Sequence, residues 1–311
     1  MSFTRAAGIL LHPTSLPGPY GTGDLGPEAF RFIDFLESAG QSLWQVFPLG
    51  PTGYGDSPYQ CLSAFAGNPL LISLDLLVQE GLLTQEDIAN PPSFNPELVD
   101  FGWVIGYKNS ILQKAYENHL SAPEKLSAAI AEFKSKNAIW LDDFSLFMAV
   151  KNAHGGKLWT EWETGISRHE PQAIAEWNEK LSKEVGFFVF IQYFFNKQWQ
   201  AVKKYANSKH IRIIGDLPIF VSYDSSDVWA NRHLFTVDAN GKLETVAGVP
   251  PDYFSATGQL WGNPLYRWNK MQEDGFEWWI NRFRFLFTLV DIARIDHFRG
   301  FEAFWEIPGD A

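Results

Sequence analysis

Three runs of apolar residues along the chain are predicted to form buried β-strands, near 8–12, 43–49 and 211–219, and a fourth strand is predicted near 291–298. An amphipathic helix separates the first two, because Pro27 suits a first helical turn and Gly40 suits the position after a helix end. A strand, a helix and a second strand in close succession make a βαβ unit, which implies parallel pairing. The pattern therefore predicts an α/β fold.

Between the second and third strands the pattern is helical, from about Thr84 to Asn207. Thr84 is a predicted N-cap, with Asp87 three residues on. Apolar positions recur at helical spacing over 108–120, 123–136, 138–153, 171–184 and 187–207. The run 187–195 is predicted as buried helix because helical polarity continues to Lys204. We interpret this block as an all-α insertion. Beyond the third strand, Asp224–Asp227 is predicted to cap a short helix, and a last helix is predicted over 274–289.

The fourth predicted strand ends in a pair of opposite charges. Side chains two apart share one face of a strand, so Arg294 and Asp296 lie side by side while Ala293, Ile295 and His297 point the other way. In an α/β barrel the catalytic side chains lie at the carboxyl ends of the strands. A carboxylate in that position, kept ionised by a neighbouring arginine, is therefore a candidate catalytic group. The same pattern also fits a structural ion pair.

Two loops and one strand end supply further polar and aromatic groups. The loop after the second strand carries Tyr54, Ser57 and Tyr59, read either as ligand contacts or as rings that pack the loop. Asp216 ends the third strand. The stretch 248–264 is too rich in Pro and Gly for a regular element, yet it carries aromatic residues that are costly to expose unless they bind something. We expect a functional loop there, with a packing loop as the alternative.

Composition narrows the choice of ligand. The 311 residues carry a net charge of -11, which argues against nucleic acid and anionic membranes. Aromatic residues make up 16% of the chain, and sugars stack on aromatic faces, so a neutral substrate fits better. The chain has one cysteine, Cys61, and neither a signal-peptide pattern nor a long apolar run, so we expect a cytoplasmic location. Single histidines such as His119 and His154 show no metal-ligand spacing.

Five motifs together resemble the amylomaltases, or disproportionating enzymes, which are 4-α-glucanotransferases of the α-amylase-like clan. They occur in the family's order, at 12–18, 53–60, 215–221, 248–255 and 294–300. The resemblance implies the N-terminal half of a (β/α)8 barrel, about four β/α units, with a mainly helical insertion after the second strand. The resemblance also divides the chain into a first barrel segment at 1–80, a helical insertion at 81–207 and a second barrel segment at 208–311.

The resemblance also implies roles for residues. Asp296 is the expected nucleophile, and Arg294 keeps it ionised. Donor and acceptor subsites are expected to use the following residues: Ser57, Tyr59, Asp216, Asp252, Phe254, Trp261 and His297. Tyr54 and Phe101, the latter where relatives often carry Tyr, resemble a second glucan-binding patch. The substrates implied are α-1,4-glucans, including maltose, maltodextrins and amylose, and no metal or organic cofactor is called for.

The expected mechanism needs a general acid, and the predicted strands do not supply it. The family's general acid is a Glu on the fifth strand, and only four strands are predicted here, so we expect that residue beyond Ala311. Glu302 and Glu306 follow the nucleophile strand, in a segment that the family does not use for this role. The alternatives are a non-catalytic or inactive glucan-binding fragment and, less favoured, an α-amylase-type hydrolase.

Overall fold

A computed structural model describes residues 5–253 and 255–311. Its seven strands are β1 (Gly8–Leu10), β2 (Leu43–Gln45), β3 (Arg212–Pro218), β4 (Thr245–Val249), β5 (Gln259–Pro264), β6 (Ile292–Asp296) and β7 (Trp305–Pro308). Its helices are α1 (Pro27–Ser38), α2 (Leu74–Gln79), α3 (Gln85–Ile88), α4 (Phe101–Ser121), α5 (Ser127–Ala153), α6 (Thr164–Ser167), α7 (Pro171–Lys180), α8 (Ser182–Ser208), α9 (Ser226–Ala230), α10 (Trp268–Glu273) and α11 (Glu277–Leu289).

The central sheet is parallel and has the order β1-β2-β3-β6. Its four strands are the four that the sequence predicts, so the α/β class is confirmed. The prediction that the first three are buried is wrong for β1, where Leu10 is 47% exposed. β1 lies at one edge of the sheet in the described part of the chain, so a single neighbouring strand shields it.

A second sheet is antiparallel, with the order β5-β4-β7. It corrects the prediction that 248–264 holds no regular element, since β4 ends and β5 lies inside that stretch. The ladder tolerates the glycines because it is irregular, with a register shift between Val246 and Gly248. The described residues between β4 and β5, at 250–253 and 255–258, belong to no strand or helix, and Trp261 lies on β5 rather than on a loop.

The helical block between β2 and β3 has the predicted character with different boundaries. The predicted segments 123–136 and 138–153 merge into one helix, α5, which begins at Ser127 after a 3-10 turn at Pro123–Lys125. Lys136 and Asn137 do not break it, and the Asn137 side-chain amide donates to the Phe133 carbonyl. The next boundary falls at Leu181 rather than near Gly186. Gly186 lies inside α8 because α4 packs closely there, where a Cβ would lie 2.2 Å from the Tyr116 hydroxyl.

Local capping signals are confirmed. Thr84 and Asp87 form a capping box at α3, and the Ser225 hydroxyl accepts from the Val228 amide at the start of α9. The last predicted helix is α11, which begins at Glu277 rather than at 274. The core joins sheet and helices through buried tryptophans: the Trp44 indole donates to the Leu11 carbonyl and the Trp199 indole to the Leu289 carbonyl.

Two buried glutamines on α8 connect the insertion to the barrel strands. The Gln192 amide bonds both the N–H and the C=O of Gly67, each at 2.8 Å. The Gln198 amide does the same with Ser73, at 2.7 and 3.2 Å. Both partners lie on the segment that follows β2, so the insertion is fixed to the carboxyl end of that strand. No helix in the described part is long and apolar enough to span a membrane.

Candidate active site

Strands β3 and β6 are neighbours, and their register sets the site. Asp216 lies opposite Arg294 and Pro218 lies opposite Asp296. Because both strands are parallel, their carboxyl ends meet at one edge of the sheet. The charged side chains of two strands that are far apart in sequence are thereby brought together.

A chain of short polar contacts joins four residues at this edge, and we call it the Arg294 network: Tyr59, Asp216, Arg294 and Asp296. Nη1 of Arg294 donates to both oxygens of Asp216 at 2.7 Å. Nη2 donates to Oδ1 of Asp296 at 2.8 Å. The Tyr59 hydroxyl donates to Oδ2 of Asp216 at 2.6 Å. Arg294 and Asp296 thus share one face, as alternation along the strand predicts.

Hydrogen bonding and burial keep Arg294 charged and Tyr59 protonated. The hydrogen bond to Asp216 raises the pKa of Arg294 further above its ordinary value, so the guanidinium stays charged. Burial, and then the bond to Asp216, raises the pKa of Tyr59, so its hydroxyl remains a donor. Exposure separates the two carboxylates: the Asp216 side chain is 1% exposed and that of Asp296 is 38% exposed. Asp296 is therefore the carboxylate that a substrate can reach.

The chain turns sharply after Asp296. His297 has φ 51° and ψ 48°, a left-handed conformation that is uncommon for a residue with a side chain. The predicted strand therefore ends at Asp296 rather than at residue 298, and alternation no longer assigns a face to His297. The His297 ring contacts Trp261 edge-on, with centroids 5.2 Å apart, and lies 6.4 Å from Phe220.

A cavity of about 390 Å³ lies beside Asp296. Its lining combines apolar rings with polar groups: Tyr59, Gln60, Pro218, Ile219, Phe220, Leu260, Trp261, Asn263, Asp296 and His297. Four predicted site residues thus meet at one cavity: Tyr59, Trp261, Asp296 and His297. Asp216 lies behind them and contacts Tyr59 and Arg294.

Phe220 and Asn263 are not among the site residues predicted from the sequence. Phe220 lies within the recognised 215–221 motif, which was the available signal, and it packs against Trp261 with centroids 6.3 Å apart. Asn263 is buried and its amide donates to the Val221 carbonyl at 2.8 Å, which fixes β5 against the end of β3. Only the paired structure shows that contact.

The remaining predicted residues lie at the margin. The Ser57 hydroxyl accepts from the Tyr59 amide at 3.3 Å. Asp252 is exposed, and its Oδ1 accepts from the Ser255 amide at 2.9 Å. Phe254 and the side chain of Tyr54 lie outside the described residues. Phe101 begins α4 and is half-buried.

No group of His, Cys, Asp and Glu among residues 5–253 and 255–311 is arranged to hold a metal ion. The lone Cys61 is half-buried, and burial raises the pKa of its thiol to about 12. A thiol that stays protonated at neutral pH is a poor nucleophile. Within the described part of the chain, the Arg294 network is the group of side chains best suited to chemistry.

The parallel strands, with charged groups at their carboxyl ends, define this chain as part of a (β/α) barrel. It belongs to the 4-alpha-glucanotransferase family, whose model matches residues 11–311. A 4-alpha-glucanotransferase of Synechocystis sp. is 51% identical over 306 residues, covering 98% of this chain and 61% of the relative. One from Thermus thermophilus is 51% identical over 310 residues, covering 99% and 61%.

A solved structure shows the same fold. The amylomaltase from Streptococcus agalactiae, in complex with acarbose, has a TM-score of 0.96 and 44% identity, over 99% of this chain and 62% of that one. The chain thus spans about three fifths of the length of these relatives.

Proposed function

We propose that this chain provides the nucleophile side of a 4-α-glucanotransferase site. The observation that carries the proposal is Asp296, a reachable carboxylate bonded to Arg294 beside an aromatic-lined cavity. The family match supports the reaction class. Under this proposal the ion pair is functional rather than purely structural.

Asp296 is the proposed nucleophile. Its carboxylate attacks the anomeric carbon of an α-1,4-glucan, the bond to the leaving oxygen breaks, and a covalent glycosyl-enzyme forms. A second, protonated carboxyl group about 5 Å away gives its proton to the leaving oxygen. A hydroxyl of an acceptor glucan then attacks the anomeric carbon and gives its proton to that group, while the bond from this carbon to Asp296 breaks. The two successive inversions leave the configuration retained.

Asp216 is unsuited to the acid role. Its side chain is 1% exposed, both of its oxygens accept from Arg294 and one also accepts from Tyr59, so neither oxygen is placed to reach a leaving oxygen in the cavity. We propose that Asp216 positions Arg294 and Tyr59 at the sugar site, while a Glu outside residues 1–311 supplies the proton.

The proposed substrates are maltose, maltodextrins and amylose. Tyr59, Trp261 and His297 lie at the cavity where sugar units would bind. Ser57, Asp252 and Phe254 are proposed subsite residues, and the acarbose-bound relative supports this class of ligand. A second glucan patch at Tyr54 and Phe101 rests on the family resemblance.

The wider setting is also proposed. We infer a cytoplasmic location from the single cysteine. We infer two barrel segments, 1–80 and 208–311, around a helical subdomain at 81–207. In the structure, α3 to α7 lie within that middle range, and α8 ends one residue beyond it.

A chimera tests the function. Residues 1–311 replace the matching segment of the Thermus thermophilus relative, and the protein is incubated with maltotriose. We expect glucose together with longer maltodextrins. A chimera that unfolds cooperatively, and is therefore folded, but forms neither product would refute the proposal. Growth of reducing ends without longer products would instead indicate an α-amylase-type hydrolase.

The 311-residue chain alone is the matched control. Asp216 is bonded to Arg294 through both of its oxygens, so it cannot replace the missing acid. We therefore expect this chain to bind maltotriose without converting it, as a non-catalytic glucan-binding fragment would. Disproportionation by the chain alone would contradict the need for an additional Glu.

A further inference from the structure

The end of β3 forms one wall of the cavity beside Asp296. We call Pro218–Val221 the wall segment, and its first three residues line the cavity directly. Pro218 lies opposite Asp296 in the register of β3 and β6, and the paired part of β3 ends there. The position of the other three residues therefore depends on contacts other than strand pairing.

Buried side chains from later parts of the chain bond the carbonyl groups of the wall segment. Arg282, on α11, donates from Nη2 to the Pro218 carbonyl at 2.8 Å and from Nη1 to the Ile219 carbonyl at 3.3 Å. The Tyr266 hydroxyl donates to the same Ile219 carbonyl at 2.7 Å. The bond from Asn263 to the carbonyl of the last residue, described above, is a third anchor. Three of the four carbonyls in the wall segment are thereby fixed.

Arg282 is itself firmly held. It is 3% exposed, and its guanidinium carbon lies 4.9 Å from the ring centroid of Trp279 and 5.3 Å from that of Trp278. Its Nη1 also donates to the Tyr266 hydroxyl at 3.4 Å. A buried guanidinium that lost its acceptors would be costly, because its charge would be neither hydrated nor bonded. The guanidinium and the carbonyls of the wall segment therefore hold each other in place.

Phe220 connects the wall segment to the other rings of the cavity. Its ring centroid lies 6.3 Å from that of Trp261 and 6.4 Å from that of His297. Both of these rings line the cavity, and His297 directly follows Asp296 in the chain. A shift of the wall segment would therefore move an aromatic surface of the cavity.

We propose that Arg282 is a positioning residue, which fixes the aromatic wall of the cavity through the carbonyls of Pro218 and Ile219. Arg282 is not among the residues that line the cavity, so it acts through Phe220 rather than on the sugar. Lysine at this position would keep the charge but lose the planar pair of donors that bridges two neighbouring carbonyls. Weaker sugar binding in that variant rests on the proposed function, whereas the movement of the wall rests on the hydrogen bonds alone.

The first test observes the wall without any substrate. ¹⁵N NMR of the 311-residue chain follows the Trp261 indole, whose resonance is identified by its absence in Trp261→Phe. We expect this resonance to shift in Arg282→Lys and in Tyr266→Phe, which is the milder change because it removes one hydroxyl and keeps the ring. If Arg282→Lys does not fold, Tyr266→Phe decides in the same way.

Arg232→Lys is the matched control for the loss of a guanidinium. Arg232 also donates to two backbone carbonyls and covers a tryptophan ring, but it does not line the cavity or bond the wall segment. We expect no shift of the Trp261 indole in this variant. An indole that does not move in the folded Arg282 and Tyr266 variants, or that moves equally in Arg232→Lys, would overturn the inference.

The second test measures kinetics on maltotriose in the chimera. Arg282→Lys should raise KM about fivefold, the effect of about one hydrogen bond, while kcat stays within about twofold. A residue with only a structural role would lower the folded fraction and hence kcat, with KM unchanged, and that result would overturn the inference. In a Phe220→Leu background the same substitution should add little to KM, because it acts through that ring, and fully additive effects would contradict this route.

The outcomes separate this inference from the proposed function. A chimera with wild-type residues 1–311 that makes no longer glucans would refute the proposed function, and the Trp261 shift would still decide whether Arg282 positions the wall. An active chimera whose KM is unchanged by Arg282→Lys and by Tyr266→Phe would overturn the inference and leave the proposed function standing.

Discussion

Asp227 gives the sharpest prediction about stability. It is 4% exposed, at the start of α9, and burial raises the pKa of its carboxyl from the ordinary 3.8 to about 6. The Ala64 amide donates to Oδ2 at 2.7 Å, and Arg282 also favours the ionised form, while Asp143 opposes it. Replacement of Asp227 by Asn keeps an acceptor for Ala64 and removes the titration.

The size of the pH effect on stability follows from the linkage between protonation and folding. Between pH 3.8 and about 6 the folded chain holds a proton on Asp227 that the unfolded chain has lost. The free energy of unfolding therefore falls as pH rises through this window, and the loss persists above it. The difference between the two pKa values corresponds to about 3 kcal/mol. About half of it falls between pH 5 and pH 8.

Urea denaturation of the wild-type chain and Asp227→Asn at pH 5, 6, 7 and 8 measures this contribution. The stability of the variant relative to the wild type should rise by about 1.5 kcal/mol across this range. Asp142→Asn, an exposed carboxylate nearby, is the control and should show no such trend. Parallel pH curves for the wild type and Asp227→Asn would refute the reasoning, because they would show that Asp227 titrates alike in both states.

Three further predictions concern the barrel edge. His12 is predicted to have the opposite effect on the pH dependence of stability, because burial lowers the pKa of its imidazole to about 4. As pH falls from 6.5 to 4, the free energy of unfolding of the wild type should fall by up to about 3 kcal/mol relative to that of His12→Gln in the same urea assay. Equal pH curves for the two proteins would contradict this. In the chimera, Asp296→Asn should retain maltotriose binding by calorimetry and lose turnover, and near-normal activity would exclude Asp296 as the nucleophile. Trp261→Ala should raise the KM for acceptor glucans while thermal stability changes little, because Trp261 is only half-buried. A large fall in Tm would instead assign Trp261 to the core.

Local signals were sufficient for much of the fold. Apolar runs located the four parallel strands. Pro27 marked a helix start because it has no N–H to satisfy, and Thr84 and Ser225 marked helix starts because their side chains can bond free amides. The antiparallel sheet was not predicted because β4 and β5 carry glycines, and because β7, the second partner of β4, lies far along the chain. Pairing, rather than local preference, makes those segments strands.

Part of the site was also predictable from local sequence patterns. Arg294 and Asp296 are two residues apart on one strand, so alternation places them together. The contact from Arg294 to Asp216 depends on the register between β3 and β6, which no local pattern encodes.

The buried glutamines of α8 have a consequence for how the chain folds. Strand β2 must pair with β3 across the whole helical insertion, and closing so long a loop is entropically unfavourable. Gln192 and Gly67 are 125 residues apart, yet their bonds fix α8 beside the end of β2, and α8 leads within a few residues into β3. We expect the insertion to form early and deliver β3 to its partner. Substitution of Gln192 should therefore slow refolding, beyond its effect on the stability of the finished structure.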